Sequence, residues 1–150
     1  MLPQSLIETI KGDLTRHEGC VYEIYLDTEE LETFGIGHLV TKNDPEHGQP
    51  VGTEVSEERV NEAFQTDFNI AYEDACALFL NLESQPDNVI RVCVNMSFNL
   101  GRNRLGQFKK MITAVNEGNY QKAADEMINS RWYGQVKTRG VELVSMMRDS

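Results

Sequence analysis

Residues 20–40 depart from the helical periodicity of the rest of this 150-residue chain. β-branched and aromatic residues predominate in this segment, and an acidic run at residues 27–30 interrupts them. Such side chains suit a pleated, half-buried strand, and a polar break between two strand-like runs is typical of a turn. We therefore expect a small antiparallel sheet or hairpin, which limits the chain to a mainly helical α+β fold.

An amphipathic helix is predicted before the sheet, over about residues 5–17. Ser5 is the expected N-cap, with Glu8 as its capping-box partner, and Gly19 is well placed to stop the helix. The apolar residues that repeat at helical spacing are Leu6, Ile7, Ile10 and Leu14. This helix would present Glu18 at its C-terminal end.

A longer helix is predicted over about residues 56–80. Residues 43–53 contain two prolines and two glycines and are predicted to form a loop. Ser56 follows this loop and is the expected N-cap. The apolar positions that share one side of the helix are Val60, Ala63, Phe64, Phe68, Ala71, Ala75 and Leu78.

The C-terminal half is predicted to be helical. After a break at residues 84–88, the run VIRVCVNMSFNLG is too continuously apolar for a surface helix and predicts a buried central one. Two shorter amphipathic helices follow on either side of residues 117–119. We predict one domain over residues 1–150, with lobes at about 12–55 and 80–150 joined by the long helix. The N-terminal helix would pack on the second lobe.

The charge, hydropathy and cysteine spacing of the chain restrict which binding partners and cofactors we expect. The net charge of −10 and the pI near 4.7 argue against binding to a nucleic-acid backbone. No run of about 18 apolar residues predicts a membrane-spanning helix. The three cysteines, Cys20, Cys76 and Cys93, show no metal-binding spacing and are expected to be three buried thiols. We expect a monomer without metal or cofactor.

Three polar side chains around the predicted sheet are candidates for catalysis. Glu18 and Asp27 bracket the first strand-like run, and the hydroxyl of Thr33 follows. Hydrolysis of a glycosidic bond needs an acid that protonates the leaving oxygen and a polar group on the opposite face of the sugar. Gly35 and Gly37 would let another group approach the backbone closely.

Three motifs resemble those of phage-type (T4-like) lysozymes, the endolysins of tailed phages. They are HEG, IYLDTEELETFGIGHLVTK and, much later, SRWY with a following arginine. The family's E-x8-D-x5-T pattern matches Glu18, Asp27 and Thr33. The resemblance implies Glu18 as general acid, Asp27 as second carboxylate and Thr33 as a residue that holds the attacking water. It also implies a lysozyme-like fold and an inverting mechanism.

The same resemblance suggests further site residues. His38 is expected to be structural and paired with Asp67, and Arg139 is expected near Glu18. Leu39, Phe98 and Asn99 match substrate-binding positions of the family. Met111 and Glu126 are also assigned to substrate binding, although relatives tend to carry small polar or amide groups there.

The expected substrate is peptidoglycan, cleaved at the β-1,4 bond between N-acetylmuramic acid and N-acetylglucosamine for host lysis. The N-terminal residues lack the pattern of a signal peptide, so we expect residence in the host cytoplasm until lysis and action on the cell wall afterwards. The acidic charge fits an anionic wall poorly.

Several alternatives stay open. Among 24 acidic residues, Glu18 and Asp27 alone could be surface carboxylates, and Cys20 could be a catalytic thiol. The joint motifs favour a lysozyme over both. The rivals are a glycosidase of chitin-like polymers and a catalytically silent or virion-associated wall-binding module.

Overall fold

A computed structural model describes all 150 residues. It contains seven α-helices, a three-stranded sheet and a short 3-10 helix at Leu82–Ser84, which confirms the mainly helical α+β class. The strands are β1 (Val21–Leu26), β2 (Glu32–Gly35) and β3 (His38–Leu39). The helices are α1 (Gln4–Glu18), α2 (Glu57–Leu78), α3 (Asp87–Leu105), α4 (Lys109–Asn116), α5 (Tyr120–Ile128), α6 (Arg131–Val136) and α7 (Thr138–Arg148).

The chain forms two compact units. The sheet unit comprises Lys11–Asn69, and the helical unit comprises Met1–Ile10 together with Ile70–Ser150. The unit boundaries fall within α1 and within α2. The assignment of a single domain with the lobe limits given above stays a prediction.

The sheet unit is built on the antiparallel order β1-β2-β3. Tyr25 lies opposite Thr33 in the first ladder, and Phe34 lies opposite His38 in the second. A loop then returns beside β1, where the N–H of Ile24 donates to the carbonyl of Thr53 over 2.9 Å. This arrangement confirms the predicted sheet and the predicted loop. The side chains of Ile24 and Phe34 are fully buried in its core.

The start of α1 differs from the prediction, because Ser5 is not its N-cap. The helix begins at Gln4, and the carbonyl of Pro3 accepts the N–H groups of Leu6 and Ile7, each over 3.1 Å. The fixed φ of proline suits a helix start, so the helix begins earlier than the serine. The predicted end is confirmed: Gly19 has φ +79° and donates its N–H to Thr15.

The start of α2 confirms the predicted cap. The N–H of Arg59 donates to the Ser56 hydroxyl over 3.1 Å, and the helix begins at the next residue, Glu57. Six of the seven predicted apolar positions are buried, and Leu78 is half-buried.

The helical unit surrounds α3. Ten residues of α3 are buried, which confirms the predicted central helix, and its backbone breaks at Gly101, where φ is +78°. Helix α7 packs on α3, α5 and α6, while α4 packs on α5. The two predicted amphipathic helices correspond to α4 and α5, which are separated at residues 117–119.

The expectation of three buried thiols is wrong for two of them. Cys93 is buried, which raises the pKa of its thiol, whereas Cys20 is half-buried and Cys76 is exposed. Cys76 follows the buried Ala75 in α2, and one helical residue turns the chain by about 100° away from the apolar side. No helix has the length and apolar character needed to cross a bilayer.

Candidate active site

All three predicted catalytic side chains belong to the sheet unit. Glu18 is the last residue of α1, because Gly19 ends the helix immediately after it. Asp27 directly follows β1, and Thr33 lies within β2. Glu18 and Asp27 are half-buried, whereas Thr33 is only 2% exposed. The short sheet therefore carries one carboxylate and the hydroxyl, and α1 supplies the other carboxylate.

Gly37 lies against the Glu18 side chain. A β-carbon built on this glycine would be 3.1 Å from Glu18 Oε1 and 3.3 Å from its Cδ, and the backbone φ is +65°. Both the space and the backbone conformation thus favour glycine. Gly35 has the same constraint, because its β-carbon would meet the side chain of Val60 at 3.1 Å. The close approach expected at both glycines is confirmed.

Asp27 holds the turn between β1 and β2 with one carboxylate oxygen. Its Oδ1 accepts the backbone N–H groups of Glu29, over 2.8 Å, and Leu31, over 2.9 Å. Such a contact is the Asx-turn arrangement that short acidic side chains favour. The second oxygen, Oδ2, remains to accept a hydrogen bond from another molecule.

Thr33 donates its hydroxyl hydrogen to the carbonyl of Leu31 over 2.9 Å. The hydroxyl hydrogen is used in this bond, but the Thr33 oxygen can still accept a hydrogen bond from another group. Its position next to the turn brings this acceptor into the same small element as Asp27.

Tyr25 is a neighbour of the site that the sequence analysis missed. Burial raises the pKa of its phenol, and the charges of Glu18 and Asp27 raise it further. Tyr25 therefore lies within the electrostatic reach of both carboxylates, and it faces Thr33 across the ladder. Its position two residues before Asp27, on the same side of an alternating strand, was the available signal.

The structure brings His38 and Asp67 together, as the resemblance implied. His38 Nδ1 lies 2.7 Å from Asp67 Oδ2, and the histidine side chain is 10% exposed. The other ring nitrogen, Nε2, lies 2.8 Å from Asp44 Oδ2, a second partner that the sequence analysis did not identify. Burial lowers the pKa of His38, but hydrogen bonds and charges of both carboxylates outweigh it, and the net shift is upward.

Asp44 is itself held at both oxygens. Oδ2 accepts the backbone N–H of Thr41 over 2.8 Å, and Oδ1 accepts Arg59 Nη2 over 2.9 Å. Burial raises the pKa of Asp44, but the Thr41 N–H and His38 outweigh it, and the net shift is downward. Arg59 also binds Glu46 through Nε over 3.0 Å. These side chains join the loop to α2.

The remaining predicted residues are placed as follows. Leu39, in the sheet unit, is 47% exposed. In the helical unit, Arg139 Nε donates to Asn95 Oδ1 over 3.0 Å, and Trp132 Nε1 donates to Asn99 Oδ1 over 2.8 Å. Phe98 is half-buried. The substrate-binding roles of Leu39, Phe98 and Asn99 stay predictions, and so does the expected position of Arg139 near Glu18.

Met111 and Glu126 line a groove of about 720 Å³ in the helical unit. Met111 is only 1% exposed, so it forms the floor of this groove. The groove also includes the aromatic side chains of Phe108 and Trp132, and its basic residues are Arg104, Lys109, Lys110 and Arg131. A substrate role for Met111 and Glu126 stays a prediction.

The helical unit and the sheet unit with its acidic residues define a lysozyme-like α+β fold. The sequence model of the phage lysozyme family matches residues 15–147, and the chain belongs to this family. Membership places it among the lysozyme-type peptidoglycan hydrolases, a kind of glycoside hydrolase.

Three relatives illustrate the range of the family. The chain is 29% identical to a probable T4-type lysozyme 1 of Dictyostelium discoideum over 161 residues, covering 95% of each chain. It is 28% identical to the pre-baseplate central spike protein Gp5 of Enterobacteria phage T4, over 84% of this chain and 25% of that protein. It is 25% identical to the peptidoglycan hydrolase gp36 of Pseudomonas phage phiKMV, over 98% of this chain and 16% of that protein.

Proposed function

We propose that this protein cleaves the β-1,4 bond between N-acetylmuramic acid and N-acetylglucosamine in peptidoglycan, with inversion at the anomeric carbon. We further propose that it acts in host lysis, after residence in the host cytoplasm. Membership of the phage lysozyme family supports the substrate class. The observation that carries the mechanism is the different surroundings of the two carboxylates, Glu18 against Gly37 and Asp27 in the turn.

Glu18 is assigned the role of general acid. In its protonated form it would donate a proton to the glycosidic oxygen as the bond to the anomeric carbon breaks. Its half-buried position at the end of α1 fits an acid that is both partly desolvated and reachable by substrate. Gly37 leaves room for the carboxyl group in this position, because a β-carbon at that residue would lie only 3.1 Å from Glu18 Oε1.

Asp27 and Thr33 are assigned the role of holding the water that attacks the anomeric carbon. Asp27 Oδ2 can accept one hydrogen of a water molecule and ease its deprotonation, while the Thr33 oxygen can accept the other. A water held by two acceptors presents its lone pair to the anomeric carbon on the face opposite the leaving group. An inverting pair of carboxyl groups is ~6.5–9.5 Å apart to leave room for that water, whereas ~5 Å would suit a covalent intermediate.

The test is Glu18→Gln, because the amide keeps the shape and cannot donate the proton. The matched control is Glu23→Gln, which removes an equal charge from an exposed residue of β1. We expect clearing of outer-membrane-permeabilised bacteria to be lost in the first variant and retained in the second, with both folded by circular dichroism. Substantial clearing by a folded Glu18→Gln variant would remove Glu18 from this role.

A virion-associated role is the second candidate, since 84% of the chain matches part of a phage spike protein. The presence of Glu18, Asp27 and Thr33 argues against a silent module. The same clearing assay, run beside chitin oligomers and with the product anomer identified by NMR, separates the candidates. A protein that binds walls without clearing them would be a silent module, and cleavage of chitin alone would change the substrate.

A further inference from the structure

His38 is held between two carboxylates from different segments. Its Nδ1 faces Asp67 of α2 over 2.7 Å, and its Nε2 faces Asp44 of the following loop over 2.8 Å. The side chains of His38, Asp44 and Asp67 are 10%, 14% and 25% exposed. All three are therefore largely shielded from water.

With both aspartates ionised, both contacts are hydrogen bonds only when the ring is doubly protonated. A neutral imidazole carries one N–H, and an ionised carboxylate can only accept. Loss of one proton from His38 would leave a nitrogen lone pair facing a carboxylate oxygen at hydrogen-bond distance. One of the two aspartates would then have to move away or bind a proton itself.

The charged surroundings favour the imidazolium. Asp44 keeps its negative charge because the backbone N–H of Thr41 and the guanidinium of Arg59 bind its two oxygens. Arg59 shares its charge with further carboxylates, so it does not cancel the attraction for the histidine. The charged groups around His38 and its partners, taken over α1, α2 and the loop, are Glu18, Asp44, Glu46, Arg59, Glu62 and Asp67.

His38 is also adjacent to the candidate acid. It directly follows Gly37, whose backbone packs on the Glu18 carboxylate. Strand β3 contains only two residues, His38 and Leu39, so few main-chain bonds fix this segment. The side-chain contacts of His38 therefore add to the pairing of Phe34 with His38 in holding Gly37 in place.

We propose that Asp44 is a positioning residue: with Asp67 it clamps His38 as the imidazolium, and the clamped histidine holds Gly37 against Glu18. This proposal rests on the proposed catalytic role of Glu18. A histidine paired with one aspartate could lose a proton and keep its single hydrogen bond. With two aspartates, loss of that proton breaks one of the two hydrogen bonds, so the geometry depends on the protonation of His38. Activity should therefore fall as pH rises through the titration of His38, in addition to any loss from Glu18 itself.

The first arm of the test measures the clamp without substrate. The imidazole nitrogens are titrated by NMR in the wild type and in Asp44→Asn, with resonances assigned from His17→Gln and His47→Gln. The expected result is a lower pKa for His38 in Asp44→Asn, because a neutral amide can donate to the deprotonated nitrogen. Glu54→Gln, an equal loss of charge at an exposed residue after the same loop, should leave His38 unchanged.

The second arm measures wall cleavage against pH at constant ionic strength. In Asp44→Asn the alkaline limb of kcat should move to lower pH, with KM nearly unchanged, because the variant affects placement of Glu18 rather than binding of the glycan. Asp44→Glu, which restores a carboxylate, should recover part of the shift. Glu54→Gln should keep the wild-type profile, which controls for the removal of one negative charge from the unit.

An unchanged His38 titration in folded Asp44→Asn would overturn the clamp. A lowered His38 pKa with an unchanged alkaline limb would overturn its coupling to Glu18. If Asp44→Asn does not fold, Asp67→Asn serves instead, since it removes the other acceptor. Wild-type protein that fails to cleave walls at any pH would contradict the proposed function and the coupling, while the NMR arm would still decide the clamp.

Discussion

Asp27 accepts the backbone N–H of Leu31 over 2.9 Å, so a proposed catalytic carboxylate also closes the turn between two strands. The two roles use different oxygens and can be separated by substitution. Asp27→Asn keeps an acceptor oxygen for the turn but loses the charge that activates water. It should unfold at nearly the wild-type urea concentration and lose most of its wall-clearing activity.

Asp27→Ala supplies the comparison, because it also removes the acceptor. It should lose activity and about 1 kcal/mol of unfolding free energy, since the Glu29 and Leu31 N–H groups would bond to water instead. Equal stability of the Asn and Ala variants would show that the turn does not depend on this side chain. Full activity of Asp27→Asn would exclude a catalytic charge.

Gly37→Ala should damage both stability and activity. The left-handed backbone alone costs about 1–2 kcal/mol for a residue with a β-carbon. The added methyl group would also displace Glu18, and a misplacement of about 1 Å can lower a rate by about 100-fold.

The control for this substitution is Gly12→Ala in α1, where a β-carbon would have nothing within 4 Å. It should stabilise the helix by about 0.5–1 kcal/mol and leave activity unchanged. Urea unfolding and initial clearing rates check both variants. A fully active Gly37→Ala enzyme would mean that Glu18 tolerates displacement.

The sequence predicted what local chemistry determines. The Ser56 cap and the stop at Gly19 depend on a few neighbouring residues, and the apolar side of α2 follows from its period. Ser5 was misassigned because Pro3 offers a competing start that the capping pattern does not take into account. Such local rules do not decide which of two neighbouring helix-start signals, here Pro3 and Ser5, the chain uses.

The second partner of His38 could not be predicted in this way. Asp44 reaches the histidine only because residues 41–44 form a turn, in which the Asp44 N–H donates to the carbonyl of Thr41. The type of turn that residues 41–44 form cannot be predicted from the sequence of a loop rich in proline and glycine. The spacing of Tyr25 from Asp27 offered a signal, but its position opposite Thr33 depends on a register that contains an irregularity.

The His38 contacts also predict how stability depends on pH. The pKa of His38 is raised, so its contribution is fully present below the ordinary value of about 6.5 and is lost as pH rises through the native pKa. The pKa of Asp44 is lowered, so its contribution is present above about 4 and is lost as pH falls through the native value. The clamp should therefore stabilise most between about pH 4 and 6.5.

Asp67→Asn should remove about 1–3 kcal/mol of unfolding free energy at pH 5 and less at pH 9. The expected loss of unfolding free energy is smaller than for a fully buried ion pair because Asp67 is 25% exposed. Urea unfolding at both pH values measures the difference, with Glu73→Gln as an exposed control in α2. A loss of equal size at pH 5 and pH 9 would show that the charge pair does not contribute.

The net negative charge of the protein comes from one unit. The sheet unit contains 14 acidic and 4 basic residues, a net charge of −10, whereas the helical unit contains 10 of each. The candidate catalytic residues thus lie on the unit that anionic wall polymers should repel. Within the helical unit, by contrast, the groove collects basic side chains from α3, α4 and α6.

Because the sheet unit should repel the wall polymers, we expect the rate of association with the wall to limit the enzyme at low salt. Initial clearing rates on washed walls at fixed pH should then rise towards ~0.15 M ionic strength, where the screening length falls to about 8 Å. Lys109→Gln with Lys110→Gln should lower the rate at low salt and steepen this rise, because the variant loses the attraction from the groove. A rate that instead falls steadily from the lowest salt would mean that attraction by Arg104, Lys109 and Lys110 dominates the encounter. The double variant should then remove that fall, since the same lysines would be its cause.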